Sequence, residues 1–300
     1  MLQKIITIIG TSQIKIVEVG PRDGLQNINH AILSAETKAI YIDKLLVAGI
    51  KNIEIRSFVS DKVLQMKNTD DVLKLINKHK YSNIKYIALV PNVRYAQKAL
   101  NCGVNELAVF TSVSNEFCEK NNGCSLQKSM ERISNIICLA KQHDVCVRGY
   151  LSCVFGCPFD GYDETYIKKV TDTTKQLLEL GCYEVSLGDT IGTATPKLIN
   201  STLSFMKNEI PINKIGIHLH DPYGIAILNL ITALHNGITI IDASTGNIGG
   251  CPVTKNPGAN ISTEEVINLL NMMKISHGID VNKLCDASYY INNSLVLSKL

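Results

Sequence analysis

A single (β/α)8 TIM barrel, with its active site at the C-terminal face of the strands, is the fold this sequence predicts. Three observations predict it: eight short β-branched runs alternate with helical stretches, glycines recur at helix ends in every second unit, and no shift of composition divides residues 1–300. Strands alternating with helices imply a parallel sheet with right-handed crossovers, and eight such units close into a barrel. An open doubly wound sheet would carry a G-x-G-x-x-G turn after its first strand, and none is present.

The strands are expected at 14–19, 53–55, 84–90, 106–110, 145–151, 183–187, 215–220 and 238–243. Between them, apolar residues recur at helical spacing, as in Ala39, Ile42, Leu45 and Leu46. Ser34 is placed to cap that helix, with Glu36 in its first turn and Gly49 as its stop. Gly49, Gly103, Gly181 and Gly237 each end a helical stretch just before an even-numbered strand. Extra chain falls at 111–130 and 152–165, after strands, where long loops are expected to cover a substrate.

Composition narrows the function classes. Hydrophobic residues make up 45% of the chain, enough for a large core, and the net charge of +3 is spread without runs of either sign. That gives no electrostatic case for nucleic acid or an anionic membrane. No apolar stretch reaches the ~18 residues a membrane span needs. Residues 5–9 are too short for a signal-peptide core, and no Arg precedes Arg22, as a transit peptide would require. A cytoplasmic protein is expected. The terminal Ser298-Lys299-Leu300 spells a peroxisomal address, but three residues match by chance too readily to displace that expectation. The ten cysteines are scattered with no C-x-x-C pair, so most are expected to be reduced, buried small hydrophobes. Cys153 and Cys157 begin no zinc pattern.

Chemistry-bearing residues collect at predicted strand ends. In VEVGPRDGLQN (17–27), Gly20 and Pro21 break the first strand and leave Arg22 beside Asp23 on the turn. Alone, such a pair reads as a surface ion pair. His218 and His220 end the seventh strand two residues apart, so both imidazoles face one way and predict a metal site. Asp23 is available as a third ligand, because strands one and seven end at the same rim. Two imidazoles, a carboxylate and open positions suit octahedral Mg²⁺ or Mn²⁺; they also suit non-haem iron, and spacing does not separate these. Glu54, inside the apolar second strand, needs a partner, and Arg22 is the obvious one. Asp189, in the SLGDTIG turn, is either a site carboxylate or the cap of the next helix. The glycine-rich stretch from Gly246 to Asn260 contains Cys251, a reactive thiol or an ordinary surface cysteine.

With GCPFDG (156–161), YEVSLGDTIGTATP (183–196), HLHDPYG (218–224) and GNIGGCP (246–252), the sequence resembles the 3-hydroxy-3-methylglutaryl-CoA lyase family from about residue 14 to about residue 295. The RDGLQN form separates it from the condensing relatives, the isopropylmalate and homocitrate synthases, which read RDGEQ and carry a further C-terminal region. The resemblance implies cleavage of 3-hydroxy-3-methylglutaryl-CoA to acetyl-CoA and acetoacetate, as in leucine degradation and ketone-body formation, by a homodimer using Mg²⁺ or Mn²⁺. It implies that Asp23, His218, His220 and Asn260 hold the cation. It further implies that Arg22 stabilises the enolate and Cys251 protonates it, with Glu54, Asp189 and Glu264 as supporting carboxylates. His220, or a water on the cation, is the expected base for the substrate hydroxyl.

Three departures from the family pattern stand out. Arg56 precedes Ser57-Phe58-Val59 where Thr or Gly is usual, which predicts an extra cation near the site. The following loop to Gln65-Met66 is one residue short and lacks Trp and Pro. Ala259 replaces a glycine before Asn260, which puts the geometry of that ligand at issue. A condensing acyltransferase on the same barrel, and a barrel without catalysis, are the alternative readings.

Overall fold

The computed structural model describes residues 2–9, 13–28, 32–58, 64–66, 69–76, 81, 83–161, 163, 165–249 and 258–298. Eight parallel strands close in sequence order into a barrel. They are β1 (Lys15–Glu18), β2 (Asn52–Ser57), β3 (Lys85–Leu89), β4 (Glu106–Ser112), β5 (Cys146–Ser152), β6 (Glu184–Asp189), β7 (Ile215–Leu219) and β8 (Ile240–Ala243). Each lies within two residues of its sequence-predicted ends. The helices are α1 (Leu2–Ile9), α2 (Ala35–Val47), α3 (Thr69–Leu75), α4 (Val93–Asn101), α5 (Asn115–Asn122), α6 (Leu126–Gln142), α7 (Tyr166–Leu180), α8 (Pro196–Met206), α9 (Ala226–His235), α10 (Thr263–Met272) and α11 (Val281–Leu297).

Strand alternation sorts the core into two parts. Val17, Val19, Ile87, Leu89, Ala108, Tyr150 and Ile240 fill the barrel interior, while the residues between them face the helices. The expected helix signals hold at α2: Ser34 Oγ accepts from the Thr37 N–H, and Gly49 follows the helix with φ +100°. A Cβ on Gly49 would stand 2.7 Å from the Gly278 carbonyl oxygen, so both conformation and space call for glycine. The other three glycines of the repeat also have positive φ.

Some expectations need correction. The extra chain at 111–130 is not loop: Ser114 caps α5, and Ser125 then caps α6. Of the nine described cysteines only Cys118, Cys153, Cys157 and Cys182 are buried; Cys138 and Cys285 are exposed on helices α6 and α11, and Cys146 is exposed at the first position of β5. No described cysteine is in a disulfide. Residues 299 and 300 of the terminal tripeptide lie outside the described residues.

Candidate active site

The site grows from the ends of β1, β2 and β7. Beyond β1 the chain makes a wide π-helical turn, Gly20–Gly24, with Pro21 inside its first turn. A Cβ on Gly24 would stand 2.7 Å from Ser244 Oγ, so the turn packs directly on the chain leaving β8. This turn buries Arg22 and aims its guanidinium into the barrel mouth. Arg22 Nε donates to Glu54 Oε2 at 2.7 Å, and Nη2 lies 2.6 Å from the same oxygen. Nη1 meets Asp23 Oδ1 at 2.5 Å. Glu54 thus has the partner its burial demanded; Tyr150 Oη adds a third donor to Oε2 at 3.2 Å. Burial still pushes the Glu54 carboxyl above its ordinary value, the guanidinium offsetting only part of that cost.

Both imidazoles converge as the strand period requires, with ring centroids 5.1 Å apart. One atom each from Asp23, His218 and His220 lies within 4.8 Å of the others, and among the described residues this is the one such group of His, Cys, Asp or Glu. Hydrogen bonds fix the tautomers. His218 Nδ1 donates to Asp242 Oδ2 at 3.2 Å, and His220 Nδ1 donates to the Asp189 backbone carbonyl at 2.9 Å. Both Nε2 lone pairs are left toward Asp23. Burial and the neighbouring His218 lower the His220 pKa to about 4, so its ring is neutral at pH 7. For Asp23, burial works against ionisation, but Arg22 and the two imidazoles outweigh it and hold its pKa below the usual value.

Asn260 lies beside this group. His220 and Asn260 form an isolated antiparallel bridge, flanked by Ile261 N–H to the Leu219 carbonyl at 2.9 Å and Asp221 N–H to the Ala259 carbonyl at 2.8 Å. Ala259 is therefore accommodated, its carbonyl being part of the ladder that places Asn260. Asn260 Nδ2 donates to Asp23 Oδ2 at 2.8 Å. Two buried acceptors, Asn260 Oδ1 and His220 Nε2, have no hydrogen-bond partner among the described residues. Buried acceptors left bare are costly unless something occupies them. Two neutral acceptors beside a carboxylate, with carboxylate and carbonyl groups orienting the imidazoles, fit a hard divalent cation.

The remaining sequence-predicted residues divide. Asp189 does not cap a helix; Thr195 caps α8, and the Asp189 carboxylate instead accepts from the N–H groups of Thr193 and Ala194 in the turn before it. Burial raises its pKa to about 7. Glu264, in the first turn of α10, accepts from the Gly246 N–H at 3.0 Å and from Ser262 Oγ at 2.8 Å. It anchors the stem of the glycine-rich segment and does not join the cation group. Cys251 lies outside the described residues.

Arg56 does not bring a second cation into the site. A register shift between Glu54 and Arg56 pairs Arg56 with the helix-facing Ala88 and Ser57 with the inward Leu89. Ser57 therefore lines the cavity, and the Arg56 guanidinium lies 3.6 Å from the centroid of the Phe58 ring.

Four site residues escaped sequence reasoning: Tyr150, Ser186, Arg148 and Asp242. Each is a polar residue at an inward strand position, and that parity within an apolar run was the signal. Tyr150 is flanked by Arg22 at 5.6 Å and Arg148 at 4.7 Å from its ring centroid. The cavity itself, about 350 Å³, is lined on its apolar side by Leu89, Phe110 and Phe117 and on its polar side by Arg22, Asp23 and His220.

A family model described as HMGL-like matches residues 13–291. The chain is 41% identical over 279 residues to a Rattus norvegicus protein named 3-hydroxy-3-methylglutaryl-CoA lyase, cytoplasmic, covering 93% of this chain and 80% of that one. A hydroxymethylglutaryl-CoA lyase structure from Pseudomonas aeruginosa has TM-score 0.89 and 39% identity, covering 94% of this chain and 93% of its own. An HMG-CoA lyase from Acinetobacter baumannii, in complex with coenzyme A and 3-methylmalate, has TM-score 0.89 at 28% identity, covering 96% of this chain and 92% of its own.

Proposed function

Since the chain belongs to the HMGL-like family, we propose that it cleaves 3-hydroxy-3-methylglutaryl-CoA to acetyl-CoA and acetoacetate. The observation that carries this reading is one juxtaposition. The cation group of Asp23, His218 and His220, with the bare Asn260 Oδ1, stands beside the guanidinium of Arg22 in a single cavity. In the reaction the 3-hydroxyl gives up its proton and the C2–C3 bond breaks. Its electron pair moves onto the thioester as an enolate, and C2 then takes a proton.

Asp23, His218, His220 and Asn260 would hold Mg²⁺ or Mn²⁺. When bound, the cation supplies Lewis-acid polarisation of the substrate's hydroxyl and carboxylate oxygens. Arg22 stays charged at any working pH and offers its remaining in-plane Nη N–H donors to the thioester oxygen as charge develops there. Glu54, Asp23 and the Tyr150 ring fix the plane of that guanidinium, so no reorganisation is needed during the step. His220 has its proton on Nδ1, leaving one lone pair, so ligation and proton removal compete for the same Nε2. As a ligand, His220 leaves the hydroxyl proton to a water at the cation site, the other base open to it. Cys251 is the proton donor to the enolate carbon, and Glu264 steadies the segment that carries it by holding Gly246. A homodimer in the cytosol, with an acyl-CoA as its only substrate, is the working form.

Acetoacetate release from 3-hydroxy-3-methylglutaryl-CoA with added Mg²⁺ or Mn²⁺ tests the activity. CoA release from acetyl-CoA plus a 2-oxo acid, without acetoacetate formation, would favour a condensing enzyme. Absence of turnover with every 3-hydroxy-3-methylglutaryl thioester would sink the proposal. Replacing Cys251→Ala should abolish acetoacetate formation while leaving the affinity for Mn²⁺ intact, and light scattering of the purified chain reads its oligomeric state.

A further inference from the structure

A ladder of charges, buried above its foot, runs up the barrel axis and ends on His218. At its foot, Lys15 Nζ lies 2.8 Å from both carboxylate oxygens of Glu184. Glu184 Oε1 also accepts from Arg148 Nε at 2.7 Å. Arg148, fully buried, crosses the interior from β5 to β8 and grips Asp242 with Nη2 to Oδ1 at 2.6 Å and Nη1 to Oδ2 at 3.2 Å. Ser186 Oγ donates to Asp242 Oδ2 at 2.6 Å, and that same oxygen accepts from His218 Nδ1 at 3.2 Å. The crossing needs space that β7 provides. A Cβ on Gly216, inward and two residues before His218, would stand 3.1 Å from both Arg148 Nη2 and Ile240 Cγ2, so one of them would have to shift.

We propose that Asp242, held by Arg148 and Ser186, is the positioning residue that keeps the His218 proton on Nδ1 and its Nε2 lone pair on the cation, and that Gly216 serves this by admitting the Arg148 guanidinium. The inference rests on the reading of Asp23, His218, His220 and Asn260 as the cation's ligands. Its logic is donor counting. Four donors point at Asp242: two from Arg148, one from Ser186 and one from His218. A carboxylate accepts all four; an amide does not. In Asp242→Asn, the orientation that keeps the 2.6 Å contact to Arg148 Nη2 turns the amide N–H toward Ser186 and His218. The serine hydroxyl rotates to accept. His218 Nδ1 also becomes an acceptor, which moves the imidazole proton to Nε2, the atom required by the cation.

The test is Mn²⁺ binding by the full chain, without substrate, read from the electron paramagnetic resonance signal of free Mn²⁺. Asp242→Asn should raise the Mn²⁺ Kd about 10- to 100-fold. Its kcat should return close to wild type at saturating Mn²⁺. Gly216→Ala changes no charge and should raise the Kd severalfold by shifting the Arg148 guanidinium against Asp242. An Mn²⁺ Kd equal to wild type in folded Asp242→Asn, as circular dichroism reports it, overturns the inference, because a merely structural residue would lower the melting temperature and leave the Kd alone. Should Asp242→Asn fail to fold, Gly216→Ala decides by the same criterion. A wild-type chain that binds no Mn²⁺ overturns both this inference and the cation site. One that binds Mn²⁺ without cleaving the thioester removes the lyase reading alone, and the Kd ratio still decides the role of Asp242.

Discussion

Replacing Arg22 by lysine separates the two jobs assigned to neighbouring residues. The guanidinium makes three charge-assisted contacts, two to Glu54 Oε2 and one to Asp23 Oδ1, and packs beside the Tyr150 ring. A lysine ammonium is a single point charge on a flexible stem and cannot span Glu54 and Asp23 while keeping further N–H donors aimed at substrate. The lost contacts to Glu54 and Asp23 exist before and during the reaction, so they largely cancel from kcat. What remains is the donor facing the developing oxyanion, for which removal costs about 10²- to 10³-fold, or about 2.7–4 kcal/mol. Asp23 keeps its Asn260 contact at 2.8 Å, so Mn²⁺ affinity should stay near the wild-type value. The assay pairs acetoacetate formation at saturating Mn²⁺ with a direct Mn²⁺ titration. A variant that loses Mn²⁺ affinity, and regains full turnover when excess Mn²⁺ is supplied, would show that Arg22 serves the cation and not the enolate.

Three further outcomes follow from the geometry. Asp23→Ala removes the one carboxylate of the cation group and should weaken Mn²⁺ binding along with turnover; unchanged affinity in the titration would remove Asp23 from the ligand set. Gly249→Ala should also weaken Mn²⁺ binding, since a Cβ there would stand 2.1 Å from Asn260 Nδ2 at a φ of +124°; an unaltered Kd would show that Asn260 does not touch the ion. Glu184 is pushed up by burial but pulled further down by Arg148 and Lys15, so its folded pKa lies below the unfolded value of ~4.3. Its contribution is present above that unfolded value and is lost as pH falls through the folded pKa. Denaturant unfolding between about pH 5 and 3 should therefore lose stability more steeply in wild type than in Glu184→Gln, and equal slopes would refute the assignment.

The barrel was legible because each strand is bounded by residues with a backbone reason to be there. Gly49 and its three counterparts supply positive φ at helix ends, and β-branched runs follow them. The cation group was legible because a strand period of two puts His218 and His220 on one face. The extra cation expected from Arg56 rested on its place in the family pattern, and plain strand alternation would likewise point residues 54 and 56 the same way. The register shift between them breaks that rule, and nothing in the local sequence marks it. Leu25, whose identity separates the sequence from condensing relatives, is fully buried and packs in the outer core rather than on the cavity. Its neighbour Gln26, by contrast, faces the cavity.

Arg148, Glu184 and Asp242 raise a different problem, because a stable barrel interior does not require them. Buried ion pairs roughly break even against well-packed apolar residues of similar size, whereas removing one partner is costly. The three are almost wholly enclosed, and inward positions on neighbouring strands carry Val17, Ile87 and Ile240 without difficulty. Stability alone thus gives no reason for charge on the axis. Orientation does: an imidazole that must keep its proton on one nitrogen needs a fixed acceptor, and a buried carboxylate stays ionised only beside a permanent cation. Arg148 is such a cation, reaches Asp242 through the gap left by Gly216, and is itself balanced by Glu184 and Lys15 near the barrel's lower opening. The charges account for one another in sequence, and the sequence ends at His218.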